Sequence, residues 1–207
     1  MAVDTNLIKT PYKKEKFSQQ QIEDLVKCTQ DPIYFIENFV WIQHPVKGRM
    51  RFDLFDFQRE LLGAYHNHRY SIALISRQMG KSTAAAAYLL WYAMYVPDQT
   101  ILIAAHKYSG AQEIMQRVRF AYELLPDHVR AGVTAYNKGS LEFDNGSRII
   151  AQATTENTGR GLSISLAYLD EFAFVRPTIA REFWTALSPT LSTGGKCIIT
   201  STPNQDD

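Results

Sequence analysis

The chain has 207 residues, of which 45% are hydrophobic and 21% are charged, and its formal net charge is +1. This length and composition allow one globular domain with a substantial core, and the near-zero charge gives no support for a chain-wide nucleic-acid-binding face. Only Cys28 and Cys197 are present, at unrelated positions, which excludes a disulfide framework or a cysteine-based metal site.

The first part of the chain is predicted to be a helical appendage. Residues 1–16 are polar and predict a solvated tail, without the hydrophobic region that a secretory signal needs. Ser18 to Thr29 predicts a capped helix, because Gln21 follows Ser18 at capping-box spacing. A second short helix is expected from Asp31-Pro32 through Trp41, and both helices are expected to pack on the outside of the core. We therefore divide the chain into an appendage, residues 1–55, and a core, residues 56–207.

From Tyr70 onward, apolar strands alternate with helices, which predicts right-handed crossovers and a parallel sheet. The apolar run from Ala84 to Val96 stops at Pro97 and is too short to cross a bilayer. The alternation therefore predicts an α/β protein. With only two cysteines, at unrelated positions, the natural compartment is a reducing cytoplasm. The predicted elements are strands at Ile72–Ile75 and Thr100–Ala105, and helices at Thr83–Tyr95 and about Ser109–Leu125.

A hairpin is expected to interrupt this alternation. Ser140 to Phe143 and Arg148 to Ala153 flank a turn centred on Asn145-Gly146, a pair that favours two-residue turns in which both central residues have positive φ. The alternation then resumes with a strand at Ile164–Leu169, a helix at Ile179–Leu191 with a break at Pro189, and a strand at Cys197–Ile199.

A phosphate-binding loop is predicted between the first of these strands and its helix. Lys81 can reach the outer phosphates, the Ser82 hydroxyl can ligate Mg²⁺, and the helix N-terminus faces the anion. The usual spacing places a glycine where this chain has Ile75, so the loop is a variant. The candidate nucleotide-binding residues are Ser76, Arg77, Gln78, Met79, Gly80, Lys81, Ser82 and Thr83.

Two carboxylates follow the apolar strand that ends in LAYLDE, at the edge where open α/β sheets bind ligands. If this strand lies beside the one that feeds the loop, Asp170 can hold Mg²⁺ together with Ser82. Glu171 would then orient and polarise the water that attacks the γ-phosphate. An ordinary helix N-cap is the alternative reading of such an acidic pair.

Further polar groups gain meaning only beside such a site. Arg77, within the loop, could stabilise charge on γ-phosphate oxygens, and the Gln58 amide could read the adenine edge; an exposed structural arginine and a surface glutamine are the alternatives. Arg160 lies between two glycines and suits an arginine finger, or else a loop-surface charge. Thr200 to Thr202 end the last strand, where small hydroxyls can sense the γ-phosphate through a water. The alternative is ordinary turn chemistry before a proline.

Together these motifs closely resemble the large terminase subunit of tailed bacteriophages, particularly of the T-even type. The resemblance runs from about Phe57 to Asn204 and includes the missing first glycine of the loop. It is carried by FQRE, SRQMGKST, LLPD, NKGSLEFDNGS, GRG, LAYLDEF and TSTPN.

The resemblance implies an ATPase of the RecA-like, additional-strand, catalytic-glutamate class that drives double-stranded DNA into a procapsid. Lys81 and Ser82 carry over as phosphate and Mg²⁺ ligands, and Asp170 as the metal-site carboxylate. Glu171 carries over as the hydrolytic glutamate and Gln58 as the adenine reader. Arg77 carries over as an arginine that acts in cis, and Arg160 as one that acts in trans. The segment that couples hydrolysis to movement is Thr200, Ser201 and Thr202.

The resemblance also implies partners: the portal protein, the small terminase subunit, DNA and further copies in a ring on the procapsid, with a monomer in solution. It places the protein in the host cytoplasm, at the portal vertex during packaging. The lid subdomain and the nuclease domain of full-length relatives have no counterpart in these residues, so nuclease activity is not expected here. A helicase-type translocase and a nucleotide-binding docking module without turnover are the alternative functions.

Overall fold

A computed structural model describes residues 7–159 and 161–203. Six α-helices and nine strands are found in these residues, together with one 3-10 helix at Phe172–Phe174. The helices are α1 (Gln19–Gln30), α2 (Pro32–Phe39), α3 (Asp56–Asn67), α4 (Lys81–Tyr95), α5 (Tyr108–Glu123) and α6 (Pro177–Leu191). The strands are β1 (Trp41–His44), β2 (Gly48–Arg51), β3 (Tyr70–Leu74), β4 (Thr100–Ala105), β5 (Val133–Tyr136), β6 (Ser140–Phe143), β7 (Arg148–Ala153), β8 (Leu166–Asp170) and β9 (Lys196–Ser201).

A seven-stranded sheet forms the centre of the fold, in the order β3-β9-β8-β4-β7-β6-β5. The five strands from β3 to β7 in this order are parallel, and β6 and β5 add antiparallel pairs at one edge. The predicted α/β fold with a mainly parallel sheet is therefore confirmed. The strand that carries the acidic pair, β8, does not lie beside β3, because β9 pairs with both and separates them.

The two faces of the sheet are covered unequally. In β4, Ile101 and Ile103 belong to a large core cluster with α3, α4 and α5, whereas Leu102 and Ala104 belong to a smaller one with α6. Residues 84–87 of α4 are alanines with almost no exposed surface, so this helix packs close to its neighbours. The apolar run predicted to form a buried helix does so, and among the described residues no helix is long and apolar enough to cross a membrane.

The N-terminal segments are held more tightly than expected. The predicted capping box between Ser18 and Gln21 is present, but α2 ends at Phe39 and not at Trp41, because Val40 is already extended and β1 follows. The expectation that the early helices lie outside the core is wrong for α2, since Phe35 and Ile36 are fully buried in the large cluster.

The polar segment before α1 is not a solvated tail where it is described. The Val133 N–H donates to the Lys9 carbonyl (3.0 Å), the Lys9 N–H donates to the Tyr122 hydroxyl (3.2 Å), and the Tyr12 N–H donates to Asp144 Oδ2 (2.9 Å). These main-chain bonds fix the segment along α5 and β5. They depend on distant partners, which its polar composition does not reveal. Residues 1–6 lie outside the described range.

Two local predictions need correction, and one strand was missed. The hairpin between β6 and β7 is present, but Gly146 alone of the Asn145-Gly146 pair has positive φ (84°). The Gly146 N–H donates to the Phe143 carbonyl and the Phe143 N–H to the Ser147 carbonyl, so the loop is longer than a two-residue turn. Helix α6 continues through Pro189 to Leu191, because the buried Leu187 and Leu191 hold its last turn in place. Strand β5 was not predicted.

Candidate active site

The loop between β3 and α4 is fixed at both ends. The Ile75 N–H donates to the Ser201 carbonyl of β9 (3.0 Å), and Gly80 caps α4 with φ of 73°. A side chain at Gly80 would be strained at this φ, and its Cβ would lie 2.7 Å from Gln58 Nε2. The first N–H groups of α4, beginning at Lys81, have no partner within the helix and can face an anion.

Gln58 connects α3 to this loop. It is buried, its Oε1 accepts the Phe55 N–H (3.1 Å), and its Nε2 donates to the Met79 carbonyl (3.1 Å). Both ends of the amide are therefore bonded to main-chain groups. The predicted reading of adenine by Gln58 stays a prediction, and it would use the second N–H of Nε2 and the second lone pair of Oε1.

Glu171 lies opposite the loop, directly after β8, with a left-handed φ of 51°. Its Oε1 lies 2.6 Å from Lys81 Nζ, and its Oε2 accepts the Thr202 N–H (2.9 Å) and the Thr202 hydroxyl (3.0 Å). Burial acts to raise the pKa of Glu171, but these three donors outweigh it and hold the pKa below its ordinary value. Glu171 is therefore a carboxylate at neutral pH.

Asp170 has a different environment. Burial raises the pKa of its carboxyl, against the stabilising effect of hydrogen bonds from the Tyr168 and Thr200 hydroxyls to Oδ1. The Ser82 hydroxyl also reaches Oδ1, at 3.4 Å. No described residue donates a hydrogen bond to Oδ2.

These residues fit a Mg²⁺ ion. A hydroxyl and a carboxylate with an uncommitted oxygen are the protein ligands that Mg²⁺ takes beside phosphate oxygens. Among the described residues no group of three or more histidine, cysteine or acidic side chains could hold a metal by itself. The set thus suits an ion that is held jointly with a nucleotide.

The structure therefore brings the distant Lys81 and Asp170 to one rim of the sheet, although β9 lies between their strands. Side chains of Ser76 to Met79 are exposed, and the Arg77 guanidinium has no hydrogen bond or ion pair with a described residue. Gln78 adopts a left-handed φ of 62°, and Thr83 is half-buried at the start of α4. Arg160 lies outside the described residues.

The segment Thr200 to Thr202 is buried and touches both carboxylates through its two threonines. The Ser201 hydroxyl instead accepts the Ala173 N–H (3.3 Å), so this residue fastens the turn after Glu171. Sequence reasoning missed Tyr168, which lies two residues before Asp170 and therefore on the same side of β8. A hydroxyl at that spacing before a strand-end carboxylate was the available signal.

The fold and this rim define a P-loop nucleoside-triphosphatase domain of the additional-strand class, in which one strand separates the loop strand from the strand with the acidic pair. A family model described as terminase large subunit, T4likevirus-type, N-terminal, matches residues 72–207, more than half of the chain. The chain therefore belongs to this family, as the sequence motifs predicted.

Solved terminase structures share the fold. A mutant of the large terminase ATPase domain of Thermus phage P74-26 has a TM-score of 0.60 at 21% identity, covering 75% of this chain and 68% of that one. The HK97 bacteriophage large terminase has a TM-score of 0.65 at 24% identity, covering 84% and 37%. The large terminase of a thermophilic bacteriophage in complex with ATP-γ-S has a TM-score of 0.53 at 13% identity, covering 72% and 38%. The chain thus spans less than two fifths of the last two proteins.

Proposed function

We propose that this chain is the ATP-hydrolysing motor domain of a phage large terminase, which powers translocation of double-stranded DNA into the procapsid. The observation that carries the proposal is the meeting of Lys81 and Ser82 with Glu171 and Asp170 at one rim. Hydrolysis of ATP transfers a phosphoryl group to water, and it requires a cation, a hydroxyl and two carboxylates at this position.

Lys81 exchanges partners in the proposed cycle. Its ammonium group leaves Glu171 Oε1 for the outer phosphates, while Thr202 continues to hold Oε2. The freed Oε1 accepts a proton from the water whose oxygen attacks the γ-phosphorus. The bond from that phosphorus to the bridging oxygen breaks, and ADP and phosphate are the products.

The other residues bind and orient the nucleotide. Ser82 and Asp170 would hold Mg²⁺, which supplies charge neutralisation at the phosphate oxygens when bound. Arg77 stabilises γ-phosphate charge in cis, and Gln58 reads the adenine edge. The loop residues Ser76, Gln78, Met79, Gly80 and Thr83 surround the phosphates.

Movement is proposed to start at Thr200 to Thr202. Thr200 bonds Asp170 and Thr202 bonds Glu171, so a change at Asp170 reaches β9 itself and a change at Glu171 reaches the residue that follows β9. Arg160 acts on the nucleotide of a neighbouring subunit in a ring. The ring assembles with the portal protein and small terminase subunit at the portal vertex in the host cytoplasm. Residues 56–207 form its catalytic core, and 1–55 form an N-terminal unit that packs into this core through α2.

Replacement of Glu171 by glutamine tests the proposal. Glu171→Gln removes the proton acceptor, so turnover should fall by about 10²- to 10⁴-fold, while binding of a fluorescent ATP analogue persists. The control is Glu156→Gln, an exposed glutamate in the loop after β7, which should hydrolyse ATP like the wild type. Equal turnover by the wild type and Glu171→Gln would remove the assigned role, and an inactive wild type would favour a docking module.

A further inference from the structure

The β1–β2 hairpin, residues 41–51, carries a cationic surface that the proposed catalytic cycle does not use. Lys47, Arg49 and Arg51 are all exposed, and the segment WIQHPVKGRMR contains no acidic residue. The whole chain has a net charge of only +1. This hairpin is therefore a local concentration of positive charge.

The two arginines share one face of the hairpin. Trp41 pairs with Arg51 and Gln43 with Arg49, and partners across an antiparallel pair point to the same side. The guanidinium carbons of Arg51 and Arg49 lie 4.7 Å and 5.7 Å from the centre of the Trp41 ring. Ile42, on the opposite face, packs against the large core cluster. The arginine face is thus turned away from the core.

These cations have no carboxylate partner among the described residues, in contrast to other arginines such as Arg59, which pairs with Glu37. A guanidinium stacked on an aromatic ring still presents its N–H groups in its own plane. Trp41 therefore orients both arginines without consuming their donors, which reduces the entropy lost when an anion binds.

The hairpin is also held in one shape. The His44 Nδ1 accepts the N–H groups of Val46 (3.2 Å) and Lys47 (3.1 Å) within the turn. At the base, the Phe52 N–H donates to the Val40 carbonyl (3.1 Å). The large apolar side chain exposed in this hairpin is Val46, at the tip, so the surface lacks an apolar patch that a protein partner would bury.

We propose that the Trp41-Arg49-Arg51 face, with Lys47 at the turn, binds the phosphate backbone of double-stranded DNA. Planar guanidinium groups match phosphate oxygens with two parallel hydrogen bonds, and such contacts are independent of base sequence. The binding assignment stands on the hairpin alone; its place in DNA movement rests on the proposed motor function. An acidic protein partner is the competing occupant.

Fluorescence anisotropy with a labelled duplex of about 30 base pairs, titrated with the full chain at several salt concentrations, tests this assignment. The double variant Arg49→Gln/Arg51→Gln should lose roughly tenfold or more in affinity, and its log–log salt slope should be smaller by about 2, one for each lost phosphate contact. The matched control is Arg176→Gln/Arg181→Gln, which removes two exposed arginines at and near the start of α6 and should bind like the wild type.

The charge-preserving variant Arg49→Lys/Arg51→Lys should bind more weakly than the wild type, because an ammonium group lacks the planar fork. An equal loss in the α6 control would mean that net charge alone is responsible and would overturn the proposal. So would an unchanged salt slope, or no binding by the wild type at about 50 mM salt. Tighter binding to an acidic polypeptide than to the duplex would assign the face to a protein.

ATP hydrolysis without DNA separates this proposal from the motor function. The hairpin variants should hydrolyse ATP at the wild-type rate, and their circular dichroism spectra should match. An inactive wild type that still binds the duplex through this face would refute the motor function and leave the hairpin assignment in place.

Discussion

The two sides of the nucleotide rim are organised differently. On the carboxylate side, Glu171 forms an ion pair with Lys81 and accepts hydrogen bonds from Thr202. Asp170 accepts hydrogen bonds from neighbouring hydroxyls. On the loop side, the side chains of Ser76 to Met79 are exposed, and Arg77 has no hydrogen bond or ion pair to a described residue. We therefore expect groups on the first side to contribute to both stability and the proposed chemistry, and Arg77 to the proposed chemistry alone.

The largest effect is expected at Arg77, where turnover should change without a change in stability. In the proposed role the Arg77 guanidinium contacts only the nucleotide, so Arg77→Ala should lower turnover by about 10²- to 10³-fold. The free energy of unfolding should change by less than about 0.5 kcal/mol, as for exposed residues in general. Steady-state kinetics and urea denaturation of the same preparation measure both quantities.

Arg77→Lys distinguishes charge from geometry, because it keeps the charge but loses the planar fork. It should recover only part of the lost turnover, and Arg181→Ala, in α6, should match the wild type in both measurements. A clear loss of stability in Arg77→Ala would show that this arginine packs against the fold, and the contrast between the two sides would fail.

On the carboxylate side, a smaller effect is expected on turnover, together with a loss of stability. Thr202→Val keeps the shape and the N–H but removes the hydroxyl that donates to Glu171 Oε2. Turnover should fall about tenfold because Glu171 is less well positioned, and unfolding should require about 1 kcal/mol less because one buried hydrogen bond is lost. Thr202→Ser keeps the hydroxyl and should restore both; a turnover loss without a stability loss would contradict the comparison.

How much of the fold the sequence predicts depends on the range of the interactions involved. The apolar alternation predicted β4 and the strands of the β6–β7 hairpin with correct bounds, because burial patterns repeat locally. Strand β5 was missed because VTAY is short and is stabilised by pairing with β6 and by the Lys9 carbonyl. Its residues alone give no sign of either partner.

The same distinction holds at the site. Asp170 and Glu171 could be selected because they stand at the end of an apolar strand, and Lys81 and Ser82 because their loop joins an apolar strand to a helix. The role of Thr202 as a donor to Glu171 could not be assigned, because it depends on β9 lying beside β8. The bond from Tyr168 to Asp170 lies within β8, and its two-residue spacing was the signal that sequence reasoning missed. Strand order is set by packing of the whole sheet, and no local pattern encodes it.

The smallest expected effect is at Gln58, a buried residue that bonds the loop from the core side. Its amide bonds Phe55 and Met79, so Gln58→Leu should weaken the attachment of the loop to α3 for any nucleotide. If Gln58 also reads adenine, the variant should raise KM for ATP by about three- to tenfold, the worth of one hydrogen bond, and leave KM for GTP nearly unchanged.

Parallel titrations with ATP and GTP separate the two roles. A selective rise in KM for ATP supports adenine reading, since only that contact distinguishes the bases. An equal fall in kcat for both nucleotides, without a change in their KM ratio, would assign Gln58 to positioning the loop alone. That outcome would place it functionally with Thr202, because both would act through the groups they hold and not through contact with the nucleotide.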